Sequence, residues 1–71
     1  MSNNNPKSKI GKNLKKIRQD KGISQDRLSK LADLSLNTVV TVESGANSNP
    51  TIETLTKIAK ALEVGVDDLI K

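Results

Sequence analysis

SQDRLSKLADLSLNTVVTVE, residues 24–43, is the stretch on which the architecture turns. Ser24 is a hydroxyl N-cap, and Asp26 follows in the first turn, where the helix dipole favours a negative charge. Leu28 and Leu31 then mark the expected buried face of this helix. Asp33-Leu34-Ser35 breaks it, and Ser35 caps a further helix predicted from about Leu36 to Glu43, with Val39 and Val42 one turn apart and facing inward. Two helices of about eight residues, joined by a turn of three or four, are the dimensions of a helix-turn-helix unit rather than of a generic bundle.

The flanks extend the same pattern. Upstream, Ile10, Leu14 and Ile17 stand at i, i+4 and i+7, predicting an amphipathic helix from about Ser8 to Lys21 with Lys12, Lys15, Lys16 and Gln19 away from the stripe. Gly22 suits the position after its last turn, and Ile23 can fold back onto the helix end. Downstream, SGANSNP (44–50) is loop by composition. Thr51 caps a fourth helix whose stripe is Ile52, Leu55, Ile58, Ala59 and Leu62, and a short fifth helix is expected over Val66–Ile70. The opening MSNNNPKS (1–8) is polar and aperiodic and reads as a disordered arm, with Lys7 and Lys9 in reach of a phosphate chain; residues 9–71 form the domain.

Composition narrows the function. The 71 residues contain no Cys, no His and no aromatic residue. Disulfides, zinc-finger sites, and Cys or His-driven nucleophilic chemistry are therefore excluded, and no metal or cofactor site is expected. Asp67 and Asp68 are adjacent at a helix start, where the dipole accounts for them, so no catalytic constellation remains and an enzyme is not expected. Stacking of nucleobases on aromatic rings is also unavailable, which turns attention to duplexes rather than single strands. Residues 1–30 hold nine Lys or Arg against two acids, while residues 31–71 hold three Lys against six acids, within a net charge of +4. A cationic half of this kind suits a polyanion. No apolar run approaches the ~20 residues of a membrane span, and a soluble cytoplasmic protein is expected.

At SQDRLSKLADLSLNTVVTVE the chain resembles the Cro/repressor, or Xre-type, helix-turn-helix family. IGKNLKKIRQDKGISQ resembles that family's opening helix, and NPTIETLTKIAKALEV followed by VDDLI resembles its closing ones. The resemblance implies an all-α, compact five-helix, lambda-repressor-like DNA-binding domain in which helices 2 and 3 form the helix-turn-helix. It also implies a sequence-specific regulator, a repressor by expectation, that binds an inverted-repeat operator in double-stranded DNA as a homodimer with helix 3 in the major groove. Leu36, Asn37 and Thr41 match base-reading positions, with Thr38 and Val40 beside them. Gln25 matches a phosphate-contacting glutamine that braces the reading helix. Lys12, Lys16, Arg27, Ser35, Asn47, Ser48 and Asn49 are further candidates for phosphate contacts, and Arg18 and Glu43 match a structural ion pair. Val64, Val66 and Ile70 are a candidate dimer face, since so small a domain does not easily bury all three.

The chain departs from the pattern where it would meet DNA. LNTVVTV carries no charge before Glu43, where relatives usually bear Arg, Lys or Gln, and no Lys or Arg occurs between Lys30 and Lys57. Ser29 replaces the favoured Ala, and Asp33 the usual turn glycine. Two readings follow: readout through shape, hydrogen bonds and thymine methyls with little electrostatic help, favouring A·T-rich half-sites, or a weakened DNA face. The second belongs with a protein-interaction module, such as an antitoxin-type helix-turn-helix protein with a protein partner and weak or lost DNA binding.

Overall fold

The computed structural model describes the backbone of residues 6–71 and the side chains from Lys9 onward. Among the described residues it holds five helices and no strand: α1 (Pro6–Asp20), α2 (Gln25–Ala32), α3 (Leu36–Ser44), α4 (Ile52–Leu62) and α5 (Val66–Ile70). The expected arm falls outside the described residues over 1–5. Residues 6–8, assigned to it by composition, belong instead to α1. Proline is tolerated in a first helical turn because the N–H it lacks has no intrahelical acceptor there.

Local chemistry sets the other boundaries. Ser24 Oγ accepts from the Arg27 N–H at 3.0 Å, Ser35 Oγ from the Thr38 N–H at 3.0 Å, and Thr51 Oγ1 from the Thr54 N–H at 3.1 Å, so each satisfies a donor the helix itself leaves open. Three helices end in the same device. Gly22, Asp33 and Glu63 adopt left-handed backbone at φ 69°, 58° and 60°. The N–H of the following residue then reaches back to a carbonyl of the last turn: Ile23 to Arg18, Leu34 to Ser29, and Val64 to Ala59. Ile23, Leu34 and Val64 all pack against the core, completing the hydrophobic half of the motif.

The core is Leu14 of α1, Leu28 and Ala32 of α2, Val39 and Val42 of α3, Leu55, Ile58, Ala59 and Leu62 of α4, and Leu69 of α5. Helix α1 packs on α3 and α5, α2 on α3 and α4, and α4 on α5. Two expectations about the core are corrected. Leu31 is 48% exposed, and the inward face of α2 is instead Leu28, Ser29 and Ala32. Leu31 lies about 100° around the helix from Ala32, and small residues on the inner line allow close helix approach. Ile52, the first residue of the α4 stripe, is 70% exposed because the stripe begins beyond the packed core.

Candidate nucleic-acid interface

Helix α3 is short and rich in β-branched residues, which are poor helix formers by themselves, so its orientation depends on neighbours. Val39 and Val42 anchor its inner side. Its C-terminal end is held by charge. Arg18 Nε donates to Glu43 Oε1 and Arg18 Nη2 to Glu43 Oε2, both at 2.8 Å, a bidentate pair with side chains only 12% and 6% exposed. Arg18 Nη1 also donates to the Ile23 carbonyl at 2.8 Å, so one guanidinium ties α3 to the turn after α1. These hydrogen bonds lower the pKa of Glu43 below its ordinary value against the opposing effect of burial, with smaller help from the Arg18 charge, the Gln25 amide and Lys15. The same bonds raise that of Arg18.

Two further contacts of this junction were not anticipated. Gln25 Nε2, at the first position of α2, donates to Glu43 Oε2 at 3.1 Å. The carboxylate therefore links the start of α2, the end of α3 and the last turn of α1. Gly11 is buried where α1 crosses the end of α3, and a Cβ there would lie 2.9 Å from the Val42 carbonyl oxygen and press still harder on that of Glu43. A glycine inside an otherwise regular helical pattern is the signal that could have marked this approach. Gly11, Lys15 and Arg18, at i, i+4 and i+7, form the line of α1 that meets α3. Elsewhere, Asn13 Nδ2 donates to the Leu69 carbonyl at 2.8 Å and secures the end of α5 to α1.

The outer side of α3 presents Leu36 and Val40, with exposed Ser35, Asn37 and Ser44 and half-buried Thr38 and Thr41. Thr41 Oγ1 donates within its own helix, lying 2.9 Å from the Asn37 carbonyl and 3.2 Å from that of Thr38. Its hydroxyl then has acceptor capacity but no proton for another group. Ser35 Oγ and Thr38 Oγ1 lie 2.8 Å apart in a shared hydrogen bond. In the following loop, Asn47 Oδ1 accepts from the Asn49 N–H at 3.2 Å, which leaves the Asn47 amino group pointing its donors elsewhere. Asn47 and Asn49 are exposed and Ser48 is half-buried. A short helix preceded by a helix and a tight turn, capped by Ser35 and held at its far end by Arg18, is the arrangement of a helix-turn-helix unit.

Residues 14–69 match the profile of the family described as Helix-turn-helix, HTH_3. This chain belongs to the Xre-type helix-turn-helix family. It is 31% identical over 61 residues to the HTH-type transcriptional regulator SinR of Bacillus subtilis and, to the same extent, to SinR of Bacillus licheniformis. The aligned region is 86% of this chain and 55% of each relative, so the chain spans about half their length. Among solved structures, the restriction-modification controller protein C.AhdI from Aeromonas hydrophila superposes with a TM-score of 0.84 at 33% identity, covering 89% of this chain and 94% of that one. An HTH_3 family transcriptional regulator from Vibrio cholerae superposes with a TM-score of 0.82 at 38% identity, over 89% of this chain and 35% of that one.

Within the helix-turn-helix domain the remaining candidates lie as follows. Lys12, Lys16 and Arg27 are exposed, but Lys12 and Lys16 sit about 100° around α1 from the Gly11 line, whereas Lys15 is the lysine whose charge reaches Glu43. Val64 and Val66 pack partly into the core, and Ile70 is the exposed member of that trio. A shallow groove between α2 and α4, lined by Leu31, Ala32, Asp33, Lys57, Lys60 and Ala61, encloses 270 Å³. Among the described residues no helix is long and apolar enough to cross a membrane, and no three Asp or Glu side chains gather as metal ligands.

Proposed function

We propose that this helix-turn-helix domain is the DNA-reading part of a transcriptional regulator, a repressor, which binds an inverted-repeat operator as a homodimer in the cytoplasm. Helix α3 lies in the major groove. Asn37 reads a base edge by hydrogen bonding, Leu36 and Val40 meet thymine methyls, Thr41 accepts from a base amino group, and Thr38 borders them. The groove is ~12 Å wide and admits one helix, so only the outer face of α3 reaches base edges. The observation that carries this reading is the bidentate Arg18–Glu43 pair with Gln25 on the same carboxylate. It sets α2 and α3 in fixed relation, and in a helix-turn-helix the two helices approach the duplex together.

Phosphate contacts come from Gln25 and Ser35 at the two helix N-termini, from Asn47, Ser48 and Asn49 in the loop, and from Lys12, Lys16 and Arg27, with Lys15 added on the geometry of α1. The first two sites combine a polar side chain with open backbone N–H groups, which suits an anion. Ile70, 52% exposed, centres the dimer face, with Val64 and Val66 beside it. Two copies related by a two-fold axis then present their α3 helices about 34 Å apart, one turn of DNA.

Selection from a random duplex pool tests the proposal, followed by affinity for the winner at two salt concentrations. Recovery of an inverted repeat with half-sites about one turn apart supports it. The salt slope then reports the phosphate contacts of Lys12, Lys15, Lys16 and Arg27, since α3 itself carries no cation. Recovery of no motif, with weak binding that disappears in salt, overturns it in favour of a protein-interaction module.

A further inference from the structure

We infer that Asn13 is a positioning residue: it fixes the dimer face on α5 relative to the reading helix α3 and so sets the half-site spacing that the dimer accepts. This rests on the dimeric DNA-reading proposal above. The two surfaces lie on helices joined through a third. Helix α3 packs on α1 and α2, and α5 packs on α1 and α4, so α1 is the one helix with extensive packing on both. Its residues divide the work. Leu14 is in the core. Gly11, Lys15 and Arg18 mark the side toward α3. Asn13, half-buried, stands about 140–160° around the helix from that line and meets α5.

The two attachments differ in stiffness. On the α3 side, Arg18 gives two hydrogen bonds to Glu43, and the backbones approach so closely at Gly11 that a Cβ has no room. On the α5 side, one side-chain hydrogen bond, from Asn13 Nδ2 to the Leu69 carbonyl at 2.8 Å, supplements the burial of the Leu69 side chain. Helix α5 has only five residues, and that carbonyl lies in its last turn, where the helix supplies no donor of its own. The pinned residue is the chain neighbour of Ile70, the 52% exposed centre of the proposed dimer face. A change in the tilt of α5 therefore moves Ile70 and, through the two-fold axis, swings the second α3 along the duplex. One base pair added between half-sites shifts one of them by about 3.4 Å and turns it by about 35°. To follow it, the dimer must rotate α5 against α1, and the lone Asn13 bond breaks before the Arg18 brace is disturbed.

The probe is the operator recovered from the random pool, with versions lengthened and shortened by one base pair between the half-sites, and a duplex carrying one half-site alone. Binding is followed by fluorescence anisotropy at about 10 °C. Asn13→Ala and Asn13→Asp both remove the donor at neutral pH, the second with almost unchanged shape. The wild type favours the recovered spacing over either shifted one. In both variants that preference falls about fivefold, the worth of one hydrogen bond, while affinity for the single half-site stays at the wild-type value. The accompanying fall in Tm is about 4–8 °C, which leaves both variants folded in the assay. A spacing preference kept by either variant overturns the inference and leaves the dimeric reading standing. So does an equal loss on every duplex, the single half-site included, or a variant unfolded at the assay temperature, since Asn13 would then serve the fold alone. A wild type that favours no spacing overturns the dimeric reading and this inference with it, and a pool that yields no motif overturns DNA reading altogether.

Discussion

Glu43→Gln removes one negative charge and changes almost nothing in shape, which makes it the sharpest probe of how α3 is held. In the native chain Oε1 accepts from Arg18 Nε, and Oε2 accepts from both Arg18 Nη2 and Gln25 Nε2. An amide keeps one oxygen. Whichever way it turns, its amino group faces a donor, and the Arg18 guanidinium, 12% exposed, is left without a counter-charge. Removing one member of a buried pair costs roughly 3–5 kcal/mol, and the residual exposure of Arg18 favours the lower end. Domains of this length are stabilised by roughly 4–10 kcal/mol in total, so the variant loses a large share of its margin. Urea unfolding at neutral pH measures the loss as a fall in midpoint with an unchanged slope. The pH dependence supplies an independent check. Glu43 is more acidic folded than unfolded, so its contribution is complete above the unfolded carboxylate value and disappears as pH falls through the folded one. The wild type therefore has an acid-labile increment that Glu43→Gln lacks, and the two stabilities converge in acid. The paired replacement Arg18→Met with Glu43→Leu recovers most of the loss, because apolar pairs of similar volume substitute well for buried ions. A Glu43→Gln cost below about 1 kcal/mol, within the range of exposed pairs, or parallel pH profiles would refute the assignment of this pair as the brace of α3.

Other substitutions probe separate terms. Glu63→Gly relieves a non-glycine residue at φ 60° and raises stability by about 1 kcal/mol, read as a higher Tm; Asp33→Gly gains less, because aspartate tolerates left-handed backbone better. Gly11→Ala destabilises by about 2 kcal/mol in urea titration although alanine is the better helix former, since its methyl would press on the Val42 and Glu43 carbonyls. If it stabilised instead, the α1–α3 approach would be looser than described. For DNA, Arg27→Ala weakens all duplexes alike and flattens the salt dependence by about one unit in logarithmic slope per subunit, about two for the dimer. Asn37→Ala relaxes the preference at one base pair by about 1–3 kcal/mol and leaves that slope unchanged, as seen by comparing matched and mismatched duplexes.

The sequence by itself determined what depends on a few neighbouring residues. Ser24, Ser35 and Thr51 cap helices where their hydroxyls reach an N–H three residues on, and Gly22 ends α1 because it enters left-handed backbone freely. The family resemblance brought Arg18 and Glu43 together across 25 positions of chain, and the bidentate geometry agrees. What needed the tertiary structure was rotational phase. Periodicity locates a helix, but the direction it turns inward is set by the helices packed on it; hence Ala32 is buried where Leu31 was expected, and Ile52 stands in solvent. The same holds for groups whose partners are distant. A glutamine at a helix start does not announce that Glu43 will take its amide, nor a glycine in α1 that the end of α3 will lie against it. Nor does a threonine reveal that its hydroxyl proton is spent on its own helix. Local hydrogen bonds close within a turn and are written in adjacent residues, whereas helix phase and partner choice are settled by the packing of all five helices around one shared core.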